Sequence, residues 1–327
     1  MQIRRRDALR LGGLGAAALA APAAAQGPVA LPDKPVRLIV PNAAGGVADL
    51  TARTVGQALS ERLKQPVVVE NRPGAGGIVA GQALVASQPD GATLMVATNA
   101  HAISKSLFRS LPFDPIRDFA PVGLMGTFAI AILVAPNSQI RTPQDLVAQL
   151  KRDPRNTNIG TISVGSTQNL AAELFKTTAG VDATTVPFSG TPSLLTSLLR
   201  GDVTAAFEIV APLMGQIKDG SLRAIAVTSA QRAANLPDVP TLQEAGLAGF
   251  DVTSWNAVVA PARTPAPVIE HINHELNAVL ADPAVRTKLL EAGVEAKGGT
   301  PAQLGELMQS EAEKWRGVIE RAGIERQ

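Results

Sequence analysis

Short apolar runs alternate along this chain with longer stretches in which apolar residues recur every three to four positions. The runs at 36–40, 67–69, 93–97, 129–134, 184–186, 203–207, 224–228 and 252–259 read as strands. The stretches at 50–63, 78–86, 143–151, 169–179, 193–200 and 211–219 read as helices between them. Such alternation predicts βαβ units and an α/β fold with a mostly parallel sheet. Thr142-Pro143 and Thr191-Pro192 are expected helix starts, with Thr as the cap and Pro at the first helical position. The tail departs from the alternation. Val268, Ile272, Leu276 and Val279 keep helical spacing, and so do Leu304, Leu307, Met308, Trp315 and Ile319. Two consecutive helices there are expected to pack back onto an earlier domain. The chain carries no evident internal sequence repeat.

The first junction of this pattern is the richest in chemistry. The apolar run 36–40 stops at Pro41-Asn42-Ala43-Ala44-Gly45-Gly46-Val47-Ala48-Asp49, and the helix pattern follows at once. A strand that passes through a Gly-Gly loop into a helix leaves N–H groups unpaired at the helix start. The helix dipole adds partial positive charge at the same point. That is an anion cradle without a basic side chain, or else an ordinary tight βα turn. Asp49 stands where it can cap the helix, contact a ligand, or both.

Composition then narrows the class. Arg4-Arg5-Arg6-Asp7-Ala8-Leu9-Arg10, a short apolar segment and Ala23-Ala24-Ala25 have the order of an export signal over residues 1–25, with a twin-arginine look. That marks an exported protein whose mature chain starts near Gln26. Losing the signal removes four of the 30 basic residues and one of the 28 acids, turning a net charge of +2 into −1. A near-neutral chain with 3% aromatics and no Tyr has neither the field nor the stacking surface for nucleic acid. With no Cys, the fold depends on its core alone, and 327 residues suffice for about two domains. No apolar run beyond residue 26 is long enough to span a membrane.

Several segments, weak singly, occur together in order: Pro35-Val36-Arg37-Leu38-Ile39-Val40-Pro41 leading to Gly45-Gly46 and Asp49, Glu70-Asn71-Arg72-Pro73-Gly74-Ala75-Gly76-Gly77, and Pro89-Asp90-Gly91-Ala92-Thr93-Leu94. Leu111-Pro112-Phe113-Asp114-Pro115, Leu236-Pro237-Asp238-Val239-Pro240-Thr241, Glu244-Ala245-Gly246-Leu247 and Trp255 follow. The chain thereby resembles the tripartite tricarboxylate transporter substrate-binding proteins, the Bug receptors, over nearly all of its mature length. The resemblance implies a periplasmic-binding-protein (Venus flytrap) fold, two α/β lobes joined by two crossovers. Lobe 1 would hold residues 26–127 and 251–327, and lobe 2 residues 128–250. It implies capture of a small organic carboxylate or related amide, delivery to membrane permease subunits, and no catalysis, cofactor or metal; a monomer is expected.

Family members hold a ligand carboxylate through one loop from each lobe. The first corresponds here to Ala44, Gly45, Gly46, Val47, Ala48 and Asp49, and the second to Gly165, Ser166 and Thr167. Ser189 and Gly190 form a third segment before another helix start. Glu208, where an Asp is frequent, is either a pocket acid or a solvated loop residue. His101 follows a strand end, a position that lines clefts in open α/β sheets. The chain departs from the family pattern at Val47-Ala48, where hydroxyls are usual, and at Phe188-Ser189-Gly190. These changes point to a ligand with an apolar body rather than a citrate-like polyacid.

Other motifs read as structure. His271 and His274 have HxxH spacing without a third ligand. Gly74 to Gly77 lacks a full dinucleotide pattern and reads as a turn. Trp255 either floors the cleft or packs between domains. A secreted hydrolase finds no Cys nucleophile and no GxSxG elbow. A ligand sensor for a membrane signalling partner would have the same sequence features as a transport receptor.

Overall fold

The computed structural model describes residues 31–327, so the export-signal expectation lies outside the described residues. In chain order the elements are β1 Val36–Val40, α1 Val47–Leu63, β2 Val67–Asn71, α2 Ile78–Val85, β3 Thr93–Thr98, α3 Asn99–Leu107 and β4 Phe119–Val134. Then come α4 Pro143–Arg152, β5 Asn158–Ile162, α5 Thr167–Ala179, β6 Thr184–Phe188, α6 Thr191–Arg200, β7 Ala205–Ile209, α7 Met214–Lys218 and β8 Arg223–Val227. The last are β9 Thr253–Pro261, α8 Ala266–Ala281, α9 Pro283–Glu291, β10 Glu295–Ala296 and α10 Pro301–Arg321.

The strands run in the order β2-β1-β3-β9-β4-β7-β5-β6, with β8 and β10 also paired to β4. Among the described strands, the triplets β2-β1-β3 and β6-β5-β7 pair in parallel. Every pairing of β4 and β9 is antiparallel, which corrects the expectation of a mostly parallel sheet. The reason is the crossover. β4 is 16 residues long, and its first part pairs with β9 in one lobe while its second part pairs with β7 and β8 in the other. Its first half carries Pro121, Gly123 and Gly126, and the register against β9 slips at both glycines. Gly126 has to be glycine, because a Cβ there would lie 2.7 Å from the Glu295 carbonyl of β10.

The registers show where the strand ends point. Ile130 of β4 pairs with Ile209, the last residue of β7, and Ala129 pairs with Thr253, the first residue of β9. Asn256 of β9 pairs with Thr98, the last residue of β3. The C-terminal ends of the parallel strands of both lobes therefore face the crossover, where open α/β sheets bind ligands.

Each lobe buries apolar residues on both faces of its sheet. In one lobe Ala52, Val55 and Leu59 of α1 pack with Ile272, Leu276 and Val279 of α8, while Leu84, Met95, Phe113 and Trp255 pack on the opposite face. In the other, Leu170 and Phe175 of α5 oppose Leu194 and Leu198 of α6. The tail does fold backward, and α10 serves both lobes. Leu304 and Met308 join the first lobe's core, whereas Trp315, Val318 and Ile319 join the second's together with Ile103 and Leu107 of α3. Thr300 caps α10 through a capping box with Gln303, as Thr142 caps α4 with Asp145.

Candidate functional site

The first loop leaves β1 at Val40 and enters α1 at Val47, three residues earlier than the apolar pattern predicts, with Gly46 as the N-cap. Asp49 lies in the first turn, not at the cap. Its Oδ2 accepts from the Gly45 N–H at 2.9 Å and from Arg53 Nε at 3.1 Å, and its Oδ1 accepts from Asn71 Nδ2 at 2.9 Å. Arg53 also pairs with Oδ1 at 3.0 Å. Burial pushes the Asp49 carboxyl upward, but the bonds from Arg53, Gly45 and Asn71 outweigh it and hold the pKa below its ordinary value. Asp49 is thus an ionised fastener whose oxygens face protein donors. Ala44, Gly45 and Gly46 are exposed, Val47 is half-buried and Ala48 is buried. Among the described residues, no acceptor meets the N–H groups of Gly46, Val47 and Ala48.

The second loop has the same construction. Gly165 adopts φ +79°, as Gly45 adopts +84°, and its N–H donates to Asn169 Oδ1 at 3.0 Å. Here too a glycine is fastened by an Asx side chain four residues on. Ser166 caps α5, its Oγ accepting from the Asn169 N–H at 3.1 Å. Among the described residues, the Thr167 and Gln168 N–H groups meet no acceptor. Gly165 also abuts the other lobe: a Cβ on it would lie 2.6 Å from Leu107 of α3.

The third segment differs from expectation. Gly190, not Thr191, is the N-cap of α6. Thr191 is instead the first helical residue, and its hydroxyl donates to Glu208 Oε2 at 3.0 Å. Ser189 is exposed, with its Oγ 3.4 Å from Ser193 Oγ. Glu208 is neither solvated nor in a loop. It lies in β7, 1% exposed, and its Oε1 accepts from Gln168 Nε2 and the Ile209 N–H, both at 2.7 Å. Burial raises its pKa more than these bonds lower it. The sequence reading missed α3, which starts at Asn99 directly after β3.

That helix buries His101. The ring is enclosed with Phe113 and Phe119, edge-on to Phe119 with centroids 4.4 Å apart, and Nε2 lies 2.7 Å from the Pro115 carbonyl. Burial depresses its pKa to about 4. His101 is a core histidine and leaves the candidate set.

The Gly74–Gly77 segment follows its structural reading: Gly77 caps α2 in a left-handed conformation. Trp255 departs from both of its readings, since it neither floors a cleft nor packs between lobes but is enclosed in the core of one lobe. No group of three His, Asp or Glu able to hold a metal occurs among the described residues. No helix among them is long and apolar enough to cross a membrane. A cavity of about 280 Å³ lies at the crossovers, lined by Thr127, Ser229, Asp251, Thr253 and Lys297 among others. None of the three loops lines it.

Asn71, Arg53, Gln168 and Asn169, which hold these loops and Glu208 in place, were not singled out from the sequence. The shared interval from Gly45 to Asp49 and from Gly165 to Asn169 was the signal that could have found one of them.

Two α/β lobes on antiparallel crossover strands, with matching helix-start loops at the facing strand ends, define a flytrap-type solute-binding receptor. The chain belongs to the tripartite tricarboxylate transporter family of periplasmic receptors, whose sequence model matches residues 51–324. BugT of Bordetella pertussis is 32% identical over 312 residues, covering 95% of each chain. A protein of the ttuE–ttuC′ intergenic region of Agrobacterium vitis is 35% identical over 305 residues, 92% of this chain and 88% of that one. Among solved structures, a Rhodopseudomonas palustris protein with adipate superposes with a TM-score of 0.79 at 32% identity, covering 90% of this chain and 99% of that one. MatC from the same organism, with bound malate, gives 0.74 at 31%, covering 88% and 100%. The family is one of solute-binding receptors rather than enzymes.

Proposed function

We propose that the chain captures a small organic carboxylate, or a related amide, between its lobes and delivers it to the membrane permease subunits of a tripartite transporter. The first loop (Ala44, Gly45, Gly46, Val47, Ala48, Asp49) and the second (Gly165, Ser166, Thr167) would close on the ligand. Ser189, Gly190 and Glu208 would form the further wall, with Asp49 and Glu208 positioning rather than touching. The lobes are taken as 26–127 with 251–327, and 128–250, after an export signal over 1–25.

One observation carries this reading. Two loops in different lobes use the same fastening, a glycine at positive φ bonded to an Asx side chain, and leave helix-start N–H groups without protein acceptors. Such groups favour anions. The adipate and malate in the relatives named above are in keeping with that chemistry. Val47 and Ala48 give the first wall methyls where hydroxyls would stand, which favours a ligand with an apolar body.

The test is a thermal-shift screen of the exported protein with mono- and dicarboxylates, their amides, amino acids and citrate. Binding to the native state adds about 2.7 kcal/mol of stability at a hundredfold excess over Kd. A shift from one carboxylate class, with the compound recovered unchanged, is expected. Silence toward every carboxylate and amide, or tightest binding of citrate, would refute the ligand class.

A further inference from the structure

Glu208 accepts bonds from side chains in the first turns of two helices at once. Gln168, its partner at 2.7 Å, is the second residue of α5, and Thr191, its partner at 3.0 Å, is the first residue of α6. With the Ile209 N–H also bonded, both carboxylate oxygens are occupied by protein donors, and none of those donors is cationic. The two lobes differ here. In the first lobe the charge of Asp49 is matched by Arg53, so the start of α1 keeps its partial positive charge. In the second lobe each helix start supplies roughly half a unit of positive charge, and two together amount to about one. One buried carboxylate between them balances that amount.

We propose that Glu208 is a specificity-determining residue that discharges the α5 and α6 helix starts, so that the cleft accommodates one anionic group and selects monoanionic ligands over dianionic ligands of the same length. The inference rests on the carboxylate reading of the cleft. Glu208 acts through Gln168, Thr191 and its field, without touching the ligand, and is therefore a positioning residue with an electrostatic consequence. A neutral residue in its place restores a second anion-attracting end to the cleft. Its β7 position next to Ala131 of β4 holds the charge at the crossover, where both walls of the cleft meet.

The experiment measures Kd by calorimetry at pH 8 for adipate and for its monoamide, a pair equal in length and different by one charge. The wild-type protein is expected to prefer the monoamide. Glu208→Gln, equal in size and uncharged, is expected to shift the ratio at least tenfold toward adipate. Glu208→Asp keeps the charge while shortening its reach, and is expected to hold the ratio within about threefold of wild type. A ratio that stays at its wild-type value in a folded Glu208→Gln, that follows Glu208→Asp instead, or that favours adipate in the wild type overturns the proposal. These outcomes leave the receptor reading standing. Failure of the wild type to bind any carboxylate or amide overturns both.

Discussion

Gly45 and Gly165 perform the same turn in different surroundings, so the same substitution separates backbone strain from packing. A Cβ on Gly45 meets nothing within 4 Å, and Gly45→Ala is expected to cost only the left-handed conformation, about 1–2 kcal/mol. A Cβ on Gly165 collides with Leu107, whose side chain is itself in a core cluster, so Gly165→Ala adds overpacking and should cost about 2–4 kcal/mol. Urea denaturation of the two variants checks the order, and equal losses would refute the account. His101 gives a pH prediction. Its folded pKa is about 4 against an ordinary 6.5. The unfolded chain therefore takes up a proton at higher pH than the native one does. Stability is complete above pH 6.5 and falls progressively down to about pH 4, by up to about 3 kcal/mol. The difference in Tm between wild type and His101→Leu, followed from pH 7.5 to 4, should narrow across that window; a constant difference would show that His101 does not titrate there. The first helix-start loop was legible at this scale because a Gly-Gly pair between strand and helix patterns fixes backbone donors whatever the side chains do. The inward turn of His101 was not legible, since it follows from the phase of a helix that the apolar pattern does not mark.

The most consequential element is α10, because it belongs to both cores. Glu311 fastens it to the crossover region: Oε2 accepts from Asn99 Nδ2 at 3.0 Å and from Trp315 Nε1 at 2.8 Å, and Lys314 pairs with the other oxygen. Asn99 in turn bonds the Thr253 carbonyl and the Trp255 N–H of β9. Glu311→Ala removes the acceptor for two buried donors, and unmet buried donors cost about 1–3 kcal/mol each. A loss of about 2–4 kcal/mol in chemical denaturation is expected, with Glu311→Gln less affected because its carbonyl still accepts. A loss under 1 kcal/mol would show that α10 is held by its apolar face alone. Most elements were readable from periodicity, and β1 matches residue for residue. The first half of β4 was hidden by Pro121, Gly123 and Gly126, residues that argue against a strand yet are accommodated here by register slips. β5, Asn158–Ile162, was hidden because Asn, Gly and Thr dilute its apolar signal.

At the scale of the molecule, the lobes share β4 and β9, α10 and the Gly165–Leu107 contact, and closure has to work within those ties. Paired strands can twist at a crossover without breaking their ladders. A helix packed into both cores resists a large rotation, so closure is expected to be a modest hinge movement centred on Gly126–Ala129 and Thr253–Ser254. A ligand that touches both helix-start loops gains its second set of contacts only in the closed arrangement, and that differential affinity is what shifts the population. If the closed state is one part in a hundred without ligand, the observed Kd is weakened about a hundredfold relative to the closed state alone. Loosening the ties at α10 then makes closing easier as well as folding weaker. Glu311→Ala, which removes the acceptor for Asn99 and Trp315, is therefore expected to show a larger drop in radius of gyration on ligand saturation than the wild type, measured by small-angle scattering from a starting value of about 19 Å. A wild type whose scattering is unchanged at saturation, while calorimetry confirms binding, would mean that the lobes are already set around the ligand and that affinity is decided by the loops alone.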